Sequence, residues 1–450
     1  MLPAARLPTP LTPDAAAGDG RRLLMAVAPA ALLGIALGLG KVVRDCSLTC
    51  NVGFELAPLG ILAVAALTVP FASWALRLEA RLGYRKWHAA CALAAAGCLL
   101  AFRAATWLEL EGRRAAEAAG RAADGWVAAM QWTYLAFFVW LGAMVVLLGA
   151  NAVEHVHRLH AAPERPRRLA AAAVAGAAGA LAGAWGAGRL GAYMLGPLGW
   201  RYEIARDNLL LLMAAVLALQ VPLLPLIERL ALPREDGRGE RPRLRAALAW
   251  IRADPTFRRL AVLALCAGVA DTLGKYLFYW LVSVQYQPSN GRTLYFASFH
   301  SWLSAATLAM LAFGTPRLVA RIGPALALAA LPFALAAGTA ALLAVTLLAV
   351  MYVVRVVEAA VRDALYSPAL DHVVAGADEE RHQAVRPLLN GLLPRLGEGT
   401  GAVAVLGLNF GLGIELRTML LVYLLVLVAW LAAVARVRSM PTAVTVAGPS

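Results

Sequence analysis

The sequence predicts an all-α polytopic membrane protein with twelve transmembrane helices arranged as two six-helix halves. Three observations carry that expectation. First, 61% of the 450 residues are hydrophobic and 15% are charged, with a mean hydropathy of +0.68; a soluble domain has about 45–50% apolar and about 25% charged residues. Second, the apolar residues fall in runs long enough for a membrane helix, about 20 residues each, and not in the alternating ~10-residue segments of a β-barrel. Third, a short motif in the first half recurs in the second at a fixed offset. Together these exclude a soluble enzyme, a disordered chain and a coiled coil.

Taken in order, residues 1–22 are rich in Pro, Ala and Thr and read as a disordered cytoplasmic tail. Arg21-Arg22 precede an apolar run that resembles a signal peptide. That run is long, lacks a small-residue cleavage site and is followed by many more, so it reads as the first span. The spans are expected at 23–43, 56–76, 87–105, 126–151, 169–191, 208–227, 260–282, 294–314, 323–339, 341–361, 385–411 and 418–435. Only Gly338 and Thr339 mark the break between the ninth and tenth. The first six spans form an N-terminal half, 23–228. Residues 229–259, carrying Pro233, Gly237, Gly239 and Pro242, form a polar cytoplasmic linker. Residues 260–437 form the C-terminal half, and 438–450 a second cytoplasmic tail.

The formal charge is +14, from 41 Lys+Arg against 27 Asp+Glu. An even number of spans puts both termini on one side. The segments on that side hold 27 Lys/Arg and the opposite loops hold 9. The positive-inside rule then places the termini in the cytoplasm, and the chain is expected in the inner membrane of a bacterium. Because topology accounts for the basic surplus, a nucleic-acid partner is not expected.

Arg77-Leu78-Glu79-Ala80-Arg81-Leu82-Gly83 follows span 2, and Arg317-Leu318-Val319-Ala320-Arg321-Ile322-Gly323 follows span 8, 240 residues later. Arg81, Gly83, Arg85 and Lys86 resemble a degraded form of the loop signature of the major facilitator superfamily. Two parallel six-helix repeats joined by a cytoplasmic loop are that superfamily's architecture.

No nucleophile–base pair, metal cluster or phosphate loop is visible, so no catalytic residue, cofactor or metal site is expected. His155, His157 and His160 read as a solvated face of a basic loop. The five cysteines lack zinc spacing; Cys46 and Cys50 lie four apart, as a small disulfide or, the expectation, as free thiols. The glycines of span 5, including Gly179 and Gly183, point to close helix packing, with a backbone-lined substrate path as the alternative.

The informative residues are ionisable ones inside spans, each costing several kcal/mol unless paired or hydrated. Asp271 and Lys275 are spaced i, i+4, whereas Arg355 with Glu358 and Arg395 with Glu398 are spaced i, i+3. Each pair shares one helix face and has two readings: a structural clasp, or a lining of a hydrated cavity. Lys41 is expected to reach Asp45, and Arg189 has no acid within a turn. Five cations (Lys41, Arg189, Lys275, Arg355, Arg395) outnumber three acids (Asp271, Glu358, Glu398), so the cavity is expected to be net positive. At 1.5 Å per residue, Asp271 and Arg395 lie roughly 15 Å into their helices, near the midplane.

Gly40-Lys41-Val42-Val43-Arg44-Asp45 and Gly53-Phe54-Glu55-Leu56-Ala57-Pro58 resemble the opening elements of bacterial and plastid ATP:ADP antiporter-like carriers. Phe138, Trp140, Asn151 and Arg167-Arg168 are similar to that branch's fourth and fifth helices, and Asp271–Tyr276 to its seventh. Arg386, Asn390, Arg395, Gly397, Glu398 and Gly401 are similar to its eleventh. The chain departs from the nucleotide-exchanging members at Arg386 and Asn390, where they carry Lys and Asp, and lacks their longer Lys-Asp signature in span 1.

The resulting expectation is a secondary transporter of an organic anion, a nucleotide being one candidate, working by alternating access. Lys41, Arg44, Arg189, Lys275, Arg355 and Arg395 are expected to bind substrate, and Asp45, Asp271, Glu358 and Glu398 to couple or gate. The lipid bilayer is its other partner, and a monomer is compatible with this plan. The alternative is a non-transporting membrane sensor or assembly protein that keeps a transporter fold.

Overall fold

The computed structural model describes residues 13–161, 164–232, 244–287, 290–313, 315–375, 385–386 and 388–438. The N-terminal half contains α1 (Pro13–Ser47), α2 (Ala57–Leu82), α3 (Tyr84–Ala118), α4 (Asp124–Leu159), α5 (Arg165–Leu195), α6 (Tyr202–Ala218) and α7 (Leu224–Leu230). A short amphipathic helix, α8 (Leu244–Ala253), lies in the linker and buries Ala247 and Ile251. The C-terminal half contains α9 (Pro255–Gln285), α10 (Asn290–Phe313), α11 (Thr315–Ala344, broken by a kink at Gly323), α12 (Leu348–Val361), α13 (Ser367–Ala375), α14 (Leu393–Leu406) and α15 (Leu416–Arg438).

Among the described residues, nine helices are long and apolar enough to cross a membrane. Helices also cover the expected eighth, tenth and eleventh spans; these carry His300, then Arg355 and Glu358, then Arg395 and Glu398.

Several boundaries differ from the sequence reading. α1 begins at Pro13, so residues 13–22 are helical; residues 1–12 and 439–450 lie outside the described residues, as do 233–243 of the linker. Gly338 and Thr339 continue α11 and do not break it: the Thr339 hydroxyl donates to the Leu335 carbonyl at 2.8 Å, and a Cβ on Gly338 would fall 2.4 Å from Val354 of α12. The small residue there permits helix contact. The tenth span does not stop at Val361, because a π-helical turn, Arg362–Tyr366, carries it on into α13. Arg362 and Asp363, expected in a loop, therefore belong to the wall of the bundle.

The two halves repeat each other in detail. A Cβ on Gly179 or Gly183 of α5 would fall 2.1 or 2.2 Å from the Ala31 or Ile35 carbonyl oxygen of α1. In the second half, a Cβ on Gly268 of α9 would fall 2.1 Å from the Pro394 carbonyl oxygen, and one on Gly397 of α14 would fall 2.2 Å from that of Leu265. Spans 1 and 5 thus meet as spans 7 and 11 do, backbone to backbone. This favours the packing reading of the span 5 glycines. Gly83 and Gly323, matched at the 240-residue offset, have φ of +73° and +76°, a left-handed turn that only glycine adopts without strain. Across the halves, α5 packs on α10 and α2 on α14.

Candidate functional site

Interlocking side chains seal one end of the bundle. Asp45, near the C-terminus of α1, accepts from Arg44 Nε at 2.6 Å, from Tyr279 Oη of α9 at 2.9 Å and from His300 Nε2 of α10 at 2.9 Å. Cys46 Sγ lies 3.1 Å from Thr293 Oγ1, and Arg292 donates to the Thr49 carbonyl. Phe54 stacks on Trp280 with ring centroids 5.7 Å apart. Side-chain hydrogen bonds between the halves join residues 45–50 to residues 279–300. Cys46 and Cys50 are free thiols, their sulfurs 3.6 Å apart. Behind this end, fully buried Arg206 donates to Asp207 at 2.8 Å and to Asn51 at 2.7 Å.

Deeper in the C-terminal half, two buried carboxylates hold three cations. Asp271 pairs with Lys275 Nζ at 2.5 Å, Arg362 Nη1 at 3.0 Å and Arg355 Nη2 at 3.3 Å. Glu358 accepts from both Arg355 and Arg362. The sequence pairs Asp271–Lys275 and Arg355–Glu358 both form, but as one network centred on Arg362. That arginine was missed because its position looked like a span end. The extra cation contacts both carboxylates at a depth where an isolated charge is costly.

Two cavities of about 390 Å³ each lie on the far side of the seal, toward the ends of the helices where both termini emerge. One is lined by Thr68 of α2 and Val146 of α4 on one side and by Asp271, Arg362, Arg395 and Glu398 on the other. The second, between α1, α4, α5 and α10, is lined by Lys41 and Ser304. Asp363 faces both. Arg395 Nη1 donates to Glu398 Oε2 at 2.7 Å, as its spacing predicts. Lys41 and Asp363 make no hydrogen bond or ion pair among the described residues. Counting the groups of this region, five cations (Lys41, Lys275, Arg355, Arg362, Arg395) face four acids (Asp271, Glu358, Asp363, Glu398), a smaller positive surplus than the sequence implies.

Other expectations are corrected. Lys41 does not pair with Asp45, whose oxygens are occupied by Arg44, Tyr279 and His300. Arg44 lies at the sealed end, its guanidinium 5.2 Å from the Phe138 ring centroid, and not in the cavity. Arg189 is outside both cavities, exposed in a lateral groove between α5 and α10. The glycines of α14 serve close contact: Gly397 and Gly401 pack on α9, and Gly399 on Ala65 of α2. π-helical turns, Leu388–Leu392 and Gly407–Gly411, flank it on either side. Arg386 and Asn390 are both committed to Asp371, at 2.7–2.9 Å. His155 and His160 are buried, not solvated; the Tyr84 hydroxyl donates to His155 Nδ1 at 2.5 Å.

No family model matches the chain, and no curated protein matches it in sequence. Solved structures do match it in shape. A bacterial homolog of the human lysosomal transporter Spinster, inward-facing and unoccupied, aligns with a TM-score of 0.57 at 16% identity, over 93% of this chain and 97% of that one. The Escherichia coli fucose:proton symporter FucP aligns with a TM-score of 0.57 at 15% identity, over 93% and 98%. The nucleoside transporter NupG aligns with a TM-score of 0.59 at 12% identity, over 93% and 100%. The chain has a major-facilitator-type fold. The structures that establish this are membrane transporters and not enzymes. The narrower resemblance to ATP:ADP antiporter-like carriers draws no support from them.

Proposed function

We propose that this protein is a secondary transporter of a small organic anion, with twelve spans, cytoplasmic termini and a cavity that alternates between the two faces of a bacterial inner membrane. The observation that carries this reading is the asymmetry of the site. Charged cavities lie between two repeated halves, the cross-half side-chain hydrogen bonds gather at one end, and Lys41 faces one cavity beside Asp363 with no ion pair among the described residues. An ammonium at that depth with no carboxylate in direct contact is suited to a solute anion. Arg395, in the adjoining cavity that Asp363 also lines, supplies a second contact when the solute moves between the two, its fork shared between Glu398 and the solute. Asp45 serves as the latch of the closed face, whereas Asp271 and Glu358 hold Arg355, Arg362 and Lys275 in place. A nucleotide is one member of the proposed class, and the fold it shares with NupG accommodates a nucleoside-transporting protein.

The test is counterflow in proteoliposomes with radiolabelled nucleotides and organic acids, preceded by a thermal-shift screen, since a ligand that binds the native state raises its apparent stability. An anion that shifts stability and exchanges across the membrane, with both effects lost in Lys41→Ala, is the expected result. Binding and transport of neutral solutes only, unaffected by Lys41→Ala, would overturn it. For orientation, an impermeant maleimide should label a cysteine at Gly120 from outside the cell and leave one at Arg229 untouched.

A further inference from the structure

The lateral groove between α5 and α10 holds the one intraspan cation of the sequence reading that the central site leaves unused. It encloses about 520 Å³ and shares no lining residue with the two charged cavities. Its floor is made of small residues: a Cβ on Gly188 would sit 3.1 Å from the Ala297 Cβ, and Ala184 is fully buried beside it. Trp185 and Trp302 wall it, 57% and 63% exposed on the outward surface of the bundle. Arg189 lies in the groove with its guanidinium 5.3 Å from the Trp185 ring centroid, and no carboxylate pairs with it among the described residues. It sits about 9 Å from the end of α5, at 1.5 Å per residue.

We infer that this groove binds a membrane phospholipid, with the lipid phosphate on Arg189 and one acyl chain lying along the small-residue floor between Trp185 and Trp302. A cation on an apolar, lipid-facing surface is costly unless its head reaches the headgroup layer, and Arg189 is within a side-chain length of it. Guanidinium presents parallel donors that match a phosphate bidentately. Indole rings favour the boundary between headgroup and chain. From Leu181 to Arg189 the groove runs about 12 Å along the helix, a length suited to a chain and not to a compact solute. A second copy of the protein is the poorer occupant, because a two-fold contact through this patch sets Arg189 against its own image. The inference rests on the membrane-spanning fold and not on the identity of the transported solute.

Native mass spectrometry of the full chain in detergent tests it, using phosphatidylglycerol, the matching diacylglycerol without phosphate, and glycerol 3-phosphate without chains. One phosphatidylglycerol should be retained more tightly than any further ones, with neither fragment giving that first adduct. Arg189→Gln should weaken the first adduct about tenfold, the loss of a charge-assisted phosphate contact; Trp302→Ala should weaken it several-fold. Parent-like retention by Arg189→Gln overturns the assignment. So does an Arg189-dependent adduct with glycerol 3-phosphate alone, or a two-chain species that needs Trp185 and Trp302. If Arg189→Gln does not fold, Arg189→Lys takes its place: it keeps the charge without the fork and must retain the lipid less tightly, and parent-like retention again overturns the site.

Discussion

Replacing Asp45 by Asn should unlatch the sealed face while leaving the rest of the bundle intact. The carboxylate accepts three hydrogen bonds, two of them from Tyr279 and His300 of the opposite half. The bond from Arg44 is internal to α1 and does not distinguish open from closed. Asn has the same shape but no charge, so charge-assisted bonds worth about 1.5–3 kcal/mol become neutral ones worth about 0.5–1.5 kcal/mol. One amide end is also a donor and repels the His300 N–H. Over two cross-half bonds the closed face loses about 2–3 kcal/mol, roughly a 30- to 150-fold rise in the ratio of open to closed. Hydrogen–deuterium exchange read by mass spectrometry follows this directly in the unlabelled protein. Peptides covering 44–56 and 279–300 should exchange faster by that order, and peptides from the buried middle of α3, around Cys91 to Leu99, should not change. Parent-like exchange at both segments in a folded protein would refute the latch. Equal acceleration everywhere would also refute it, by showing that Asp45 supports the whole fold and not one face.

The other expectations concern the charged network and the helix contacts. Exchanging the partners, Asp271→Lys with Lys275→Asp, should fail to restore what each single change loses, because a lysine at 271 would face Arg355 and Arg362; recovery of parent melting temperature by the double variant would show that the pair acts alone. Arg395→Lys should keep the fold and lose much of the anion affinity measured by thermal shift, since lysine cannot span both Glu398 and a solute anion; parent-like affinity would remove Arg395 from the site. Gly268→Ala should destabilise by about 1–3 kcal/mol or more through forced overlap with the Pro394 carbonyl, whereas Gly186→Ala, with nothing within 4 Å, should be neutral in the same melting assay. Lys41→Ala should leave the melting temperature without ligand unchanged, because no ion pair is lost, while removing the stabilisation by bound anion.

The sequence by itself determined the helical membrane fold, most of the spans and the two-half repeat, because those follow from properties each segment carries alone. Apolar length sets a span, and the motif at Arg77–Gly83 and Arg317–Gly323 repeats down to a left-handed glycine at the same place. Local ion pairs were also legible: Lys275 with Asp271 and Arg395 with Glu398 lie one turn apart and must share a helix face. What only the tertiary structure decided is which charges meet across helices. Arg362 and Asp363 looked like the end of a span because charges normally end one, yet Asp271 from α9 and Glu358 one turn back pair with the arginine and let the helix continue. Lys41 sits one turn from Asp45, but the rotation of α1 turns Asp45 toward Tyr279 and His300 and leaves the lysine facing the cavity. Arg189, as apolar in its sequence setting as Lys41, points instead out of the bundle. Depth in a span can be counted from sequence, but the direction a residue faces is set by how the helix packs against its neighbours.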